Sequence, residues 1–223
     1  MTGAGEGVGA VVAAQLGARG FAVGLAARRP MGLVAVQNRV REVGGYAFTA
    51  PTDVTDEVQV HELVEQTERR LGPVEVLINA AGAVHRGPVV STTEADFDRM
   101  LDVNLKGVFR CVKAVLPGMI QRRKGRIVNL AAMAGRIGVP QLSAYGAAKW
   151  GVVGFTRACA AELRGFGISA FVVCPGSVDS PSYRAAMPGV PPRAEADAVA
   201  EAAVWLASDA PAAMTGAVVE VPG

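Results

Sequence analysis

Thr2-Gly3-Ala4-Gly5-Glu6-Gly7-Val8-Gly9 opens the chain and decides how the rest is read. Behind it, Val11 to Ala18 has the apolar spacing of a helix, and Phe21 to Ala27 is an apolar run of strand length. Glycines at 3, 7 and 9, with Val8 between the last two, let backbone amides and a helix N-terminus approach a phosphate. Alone they mean little, because glycine near a helix start most often just makes a turn. The alternation continues, however. Helical patterns over Leu33–Val43 and Val58–Leu71 stop at Gly44-Gly45 and Gly72-Pro73, and Tyr46–Ala50 and Val74–Asn79 read as strands. A helical zone, Glu94–Ile120, opens with a Thr93-x-x-Asp96 capping pattern and is interrupted by Pro117. Then come a strand (Arg126–Leu130), a helix (Tyr145–Arg164), a strand (Ile168–Val173), a helix (Ala196–Ala207) and a last strand (Ala217–Val221). Strands buried on both faces and alternating with helices predict a doubly wound parallel α/β sheet. No repeat or linker divides the chain, so a single domain over residues 1–223 is expected. The stretch Ser180 to Arg193, with four prolines, reads as a mobile loop and not a boundary.

Composition narrows the function. The 223 residues are 51% hydrophobic with a formal net charge of +2, too balanced for a nucleic-acid footprint. Cys111, Cys159 and Cys174 are scattered, with neither disulfide nor zinc spacing, which predicts a reducing, cytoplasmic setting. His61 and His85 are too few and too far apart for a metal cluster, so no metal is expected. The apolar run from Gly7 to Ala27 contains Gln15, Arg19 and several glycines, which argues against a membrane span, and no basic region precedes it as in a signal peptide.

Tyr145-Gly-Ala-Ala-Lys149 places a phenol and an ammonium one helical turn apart, on the same side. A nearby ammonium favours phenolate, so the tyrosine should exchange a proton nearer neutral pH than its reference value of about 10. On its own such a pair is usually a surface contact. Its companions change the reading. Asn79-Ala80-Ala81-Gly82 follows a predicted strand, Asp102-Val103-Asn104 lies in the long helical zone, and Pro175-Gly176-Ser177-Val178-Asp179-Ser180 follows another strand. Leu206-Ala207-Ser208-Asp209 and Thr215-Gly216 close the series. In this order and spacing, from Thr2 to Gly223, the chain resembles the single-domain short-chain dehydrogenase/reductase family.

The resemblance implies a Rossmann-like, NAD(P)-binding fold and an oxidoreductase acting on a ketone or secondary alcohol. Tyr145 would exchange the substrate proton, Lys149 would bind the nicotinamide ribose and tune Tyr145, and Asn104 would hold a water or backbone group near Lys149. Gly3, Gly7, Val8 and Gly9 would cradle the pyrophosphate, and Asp53 with Val54 would meet the adenine. Asn79, Ala80 and Gly82 would line the groove, and Pro175, Gly176 and Val178 would hold the nicotinamide. The plain alternative for Asp53 is a helix-initiating turn, and for Asn104 an ordinary buried polar residue. Subunits would associate as a homotetramer or homodimer through the helices around Asp98–Ile120 and Ala147–Leu163, which carry more apolar positions than one core-facing stripe needs.

The cofactor can be read further. No acid occurs between Glu6 and Glu42, although a dinucleotide fold usually holds its ribose with one about 20 residues past the glycines. Ala27 stands in its place and Arg28 follows, which suits the 2′-phosphate of NADP over NAD. The alternative is a solvated Arg28-Arg29 pair, and Glu6 dissents because it would repel a phosphate.

Two departures from the family pattern matter. The serine expected 13 residues before the tyrosine is Ala132; Ser143, two residues before Tyr145, is the nearest serine, and His85 and Arg86, just past Asn79-Ala80-Ala81-Gly82, are the other candidates to face substrate. A hydrophobic first strand is also missing, because the chain opens directly on Thr2-Gly3. Five buried apolar residues at roughly 1.5–3 kcal/mol each would rival a domain's net stability of about 5–15 kcal/mol, so we expect coding sequence upstream of Met1. The alternative is a shortened protein that is unstable or rescued by a partner. These departures keep a second functional reading open, a catalytically impaired nucleotide-binding or structural subunit.

Overall fold

The computed structural model describes residues 1–223. Six parallel strands, β1 (Ala22–Ala27), β2 (Tyr46–Pro51), β3 (Val76–Asn79), β4 (Gly125–Leu130), β5 (Ile168–Pro175) and β6 (Val218–Val221), form a twisted sheet between helical layers. Both faces of β5 are buried, and its residues divide by parity. Phe171 and Val173 enter one core, while Ile168, Ala170, Val172 and Cys174 enter the other. That is the two-sided burial expected of a parallel strand. The first core packs under α1 (Gly7–Ala18), α2 (Pro30–Glu42) and, late in the chain, the helix Ala196–Ser208. The second lies under α3 (Glu57–Leu71) and the helices that follow it.

The sheet is built in two parts, β2-β1 and β3-β4-β5-β6, and no strand precedes α1. Thr2 bridges Ala26 of β1 and Asn79 of β3. Its N–H donates to the Ile78 carbonyl at 2.9 Å, and its own carbonyl accepts from Ala80 at 3.2 Å. Ala26 donates to Met1 at 2.9 Å and accepts from Ala4 at 3.0 Å. Within residues 1–223 the two parts therefore meet at a seam held by the residues leading into the glycine turn.

The long helical zone is three pieces. Thr93 caps α4 (Glu94–Leu101), its hydroxyl accepting from the Asp96 amide at 3.1 Å as the capping pattern predicts. A π-helical turn, Asp102–Lys106, links it to α5 (Gly107–Arg122). Pro117 does not interrupt this helix, contrary to expectation. The buried stripe Val112, Val115 and Met119 spans the proline and holds the helix on the sheet, outweighing a cost of about 3 kcal/mol. The irregularity falls instead at the π turn, which wide i→i+5 bonding makes suited to presenting a side chain.

After β4 comes α6 (Ser143–Leu163), then α7 (Pro181–Ala186) and α8 (Ala196–Ser208). α7 corrects the reading of Ser180–Arg193 as wholly loop. Ser180 accepts from the Tyr183 amide at 3.0 Å, and Pro181 takes the first helical position. No helix is long and apolar enough to cross a membrane.

Candidate active site

A cavity of about 770 Å³ runs along the C-terminal ends of the strands, across the seam. At its centre the turn before α1 is shaped for close approach. Gly3 has φ +67°, and a Cβ there would lie 2.3 Å from the Ala80 carbonyl carbon. A Cβ on Gly9 would fall 2.0 Å from the Gly3 oxygen, so neither position tolerates a side chain. Glu6 precedes α1 without a side-chain cap, leaving the first amides of the helix free for an anion in the cavity. The residues therefore fit the pyrophosphate of a dinucleotide.

Arg28, Arg29, Asp53 and Val54 line one end of the cavity, at the tips of β1 and β2. Arg28 is exposed and has no ion-pair partner. Arg29, read from the sequence only as half of a solvated Arg28-Arg29 pair, is paired with Glu6, and Ser182 of α7 reaches the other Glu6 oxygen at 3.4 Å. The sequence placed Glu6 against an incoming phosphate; the fold gives it a guanidinium to neutralise. Asp53 does line the cavity, but one of its oxygens serves a turn, accepting from the Thr55 amide at 2.9 Å and its hydroxyl at 2.8 Å.

The other end is built on β3, the π turn and α6. Asn79 is buried and lies beneath the cavity, donating to Asn129 at 2.9 Å, which donates to Thr156 of α6 at 2.8 Å. This polar chain ties the sheet to the helix that carries Tyr145. Asn104 is fully buried and grips both backbone groups of Ala83: its amide donates to the carbonyl at 2.9 Å, and its oxygen accepts from the N–H at 3.2 Å. The backbone group it holds is that of Ala83. A Cβ on Gly82 would lie 2.9 Å from the Asn104 oxygen, so a side chain there would displace the Asn104 amide from Ala83. Pro175, Gly176 and Val178 line the same end, and a Cβ on Gly176 would meet the Pro222 oxygen at 2.1 Å.

Tyr145 and Lys149 both face the cavity from α6. The lysine is 5% exposed and donates to the Leu130 carbonyl at 3.0 Å; the Tyr145 hydroxyl makes no hydrogen bond within the protein. Burial pushes the Lys149 amine down to about 8 and pushes the Tyr145 phenol up. The second shift corrects the expectation of a phenol lowered by its neighbour. The amine lies 5.6 Å from the ring centroid and is aimed at Leu130, so loss of water outweighs attraction.

Ala132 lines the cavity beside Tyr145 and supplies no hydroxyl. None of its expected substitutes reaches the site. Ser143 is exposed at the start of α6, Arg86 is exposed in its loop, and His85 turns to Asp96, with its Nδ1 3.5 Å from the carboxylate.

A family model for short chain dehydrogenases matches residues 1–189. The chain belongs to the short-chain dehydrogenase family. A short-chain dehydrogenase relative of Xanthobacter autotrophicus, the inactive 2-(S)-hydroxypropyl-CoM dehydrogenase 2, is 39% identical over 82% of this chain and 86% of its own. The 3-oxoacyl-acyl-carrier-protein reductase of Staphylococcus epidermidis is 35% identical over 81% of this chain and 74% of its own. The crystal structure of an actinorhodin polyketide ketoreductase with NADPH superposes with a TM-score of 0.94 at 34% identity, covering 100% of this chain and 94% of that one. As a short-chain dehydrogenase, the protein is an oxidoreductase of the NAD(P)-binding type.

Proposed function

We propose that this protein transfers hydride between NADP and a ketone or secondary alcohol, with Tyr145 as the group that exchanges the substrate proton. The carrying observation is that a tyrosine hydroxyl free of protein partners lines the same cavity as the glycine turn, one helical turn from a buried lysine. The bound dinucleotide supplies the hydride. Tyr145 gives its proton to the carbonyl oxygen in reduction and takes one from the alcohol in oxidation. Burial keeps the phenol protonated near neutral pH, the form that reduction needs. Lys149 holds the ribose, and Asn104 fixes the loop after β3 at Ala83, next to Gly82 in the cavity lining. The unpaired Arg28 supports NADP over NAD, because a guanidinium meets a phosphate with several parallel donors. The test is NADPH oxidation with a carbonyl substrate by wild type and Tyr145→Phe. Loss of turnover with cofactor binding retained is expected; undiminished turnover in the variant refutes the assignment.

Ala132 favours a second reading, a nucleotide-binding or structural subunit with impaired chemistry, since the cavity wall beside Tyr145 lacks a hydroxyl. NADPH binding without turnover of any carbonyl compound would establish it.

A further inference from the structure

We infer that the substrate of this site is a neutral ketone or secondary alcohol flanked by hydrocarbon, with no anionic group on the part held in the cavity. This rests on the hydride-transfer reading above. The cavity separates its charged side chains from an apolar wall. Its charged side chains are Glu6, Arg28, Arg29, Asp53 and Lys149. The first four stand at the glycine turn and the tips of β1 and β2, at the end away from Tyr145, and Glu6 and Arg29 neutralise each other. Lys149 gives one of its donors to the Leu130 carbonyl and, on that reading, the others to the cofactor ribose.

The wall around the Tyr145 ring is different. Val84, Ala132, Ala134, Val139, Leu142 and Met187, from four separate segments of the chain, pack with it and face the cavity. None carries a polar side-chain group, and several of the backbone groups among them are bonded internally. The Ala132 carbonyl accepts from Gly135 at 2.8 Å, the Leu142 N–H donates to Val139 at 3.2 Å, and the Leu142 carbonyl accepts from Gly146 at 2.6 Å. His85, Arg86, Arg136 and Arg184, the basic residues next to this wall in sequence, lie outside the cavity lining, and the last two are paired with Glu220 and Asp179. A carboxylate or sulfonate carried past Tyr145 would shed its water against side chains that offer it neither charge nor hydrogen bond, which is among the costliest burials available. A methylene in the same place gains roughly fourfold in binding, the usual worth of burying one such group.

The experiment uses NADPH-loaded protein and two series: methyl ketones from 2-butanone to 2-octanone, and the oxo-acids 4-oxopentanoate and 7-oxooctanoate. The expected result is kcat/KM rising roughly threefold to fourfold per methylene along the ketones, with each oxo-acid at least about 100-fold below the ketone of matching length. Met187→Lys, on the exposed segment after α7, should narrow or invert that gap. Oxo-acids turned over as well as the ketones would overturn the inference. If no compound is reduced, quenching of bound NADPH fluorescence decides separately. Tighter binding of 2-octanone than of 7-oxooctanoate keeps the apolar class while the hydride reading falls, and equal binding of the two overturns the class itself.

Discussion

The Lys149 amine lies 5.6 Å from the centroid of the Tyr145 ring, yet its hydrogen bond goes to the Leu130 carbonyl. Each group is thereby buried with little help from the other. For Lys149 this has a consequence that stability measurements can read. Its folded value of about 8 lies below the ordinary 10.5. Between those values the unfolded chain holds a proton that the folded chain has released, so stability rises with pH across that window. Below pH 8 the folded protein bears the full cost of a buried charge. Urea denaturation of wild type and Lys149→Met without cofactor should show wild type gaining about 2–4 kcal/mol on the variant between pH 8 and 10.5, at about 1.36 kcal/mol per unit. The Tyr145 phenol and the cysteines are common to both proteins and cancel in the difference. A difference that stays flat with pH would show that Lys149 is not desolvated.

Ala132 should make this a slow enzyme and not a dead one. Losing one donor to a developing oxyanion costs about 10²–10³ in rate, and losing the proton donor about 10²–10⁴. Ala132→Ser should therefore raise kcat by at least about tenfold with NADPH affinity nearly unchanged, while Tyr145→Phe should remove the remaining activity. Lower activity in Ala132→Ser would mean that the site works through an arrangement in which the small apolar wall is needed.

Cofactor preference should respond to two side chains in opposite directions. Arg28→Asp should weaken NADPH binding by tenfold or more and spare NADH, because it removes a donor fork and adds repulsion. Glu6→Gln should strengthen NADPH binding a few-fold, since it removes a like charge and frees Arg29; a charge pair at 4 Å is worth about 1 kcal/mol in a water-like medium. Isothermal titration of both cofactors against the three proteins checks this. Wild type binding NADH more tightly than NADPH would remove Arg28 from the site.

Assembly should depend on the outer faces of α5 and α6. Phe109 is 44% exposed and Trp150 49% exposed, and Phe109 meets Phe155 edge-on at 6.2 Å between ring centroids. Light scattering should report a dimer or tetramer at micromolar concentration, and Phe109→Asp should shift it toward monomer. A wild-type monomer would refute the expectation.

Much of this was legible in the sequence, because period and punctuation act locally. The glycine stops after α2 and α3, the Thr93 cap and the apolar strands each depend on neighbours along the chain. α7 was legible too, in Ser180-Pro181, but the prolines beyond it outweighed that signal. Pro117 was misread because helix propensity sees the missing N–H and not the buried stripe that carries the helix past it. At the site, the residue types and their order were enough to bring Tyr145, Lys149, Asn104 and the glycines together. What they touch was not readable. The Glu6–Arg29 pair joins residues 23 apart, and the direction of Lys149 depends on a carbonyl 19 residues away. The rise in the Tyr145 phenol comes from loss of water, which no spacing rule contains.

Within residues 1–223, a dinucleotide crossing the seam at Thr2 would have a mechanical role beyond chemistry. Arg28 and Asp53 stand on the two-strand part of the sheet, while Lys149, Gly82 and Gly176 stand with the four-strand part. A dinucleotide laid along the groove would brace two plates that meet edge to edge through a few backbone bonds, much as a splint crosses a fracture. Occupancy should then be felt where the ligand touches nothing. Saturating NADPH should slow amide hydrogen exchange in the interiors of β1 and β3, which open together when the plates part, by more than it slows exchange in β5, whose neighbours on both sides hold it without help.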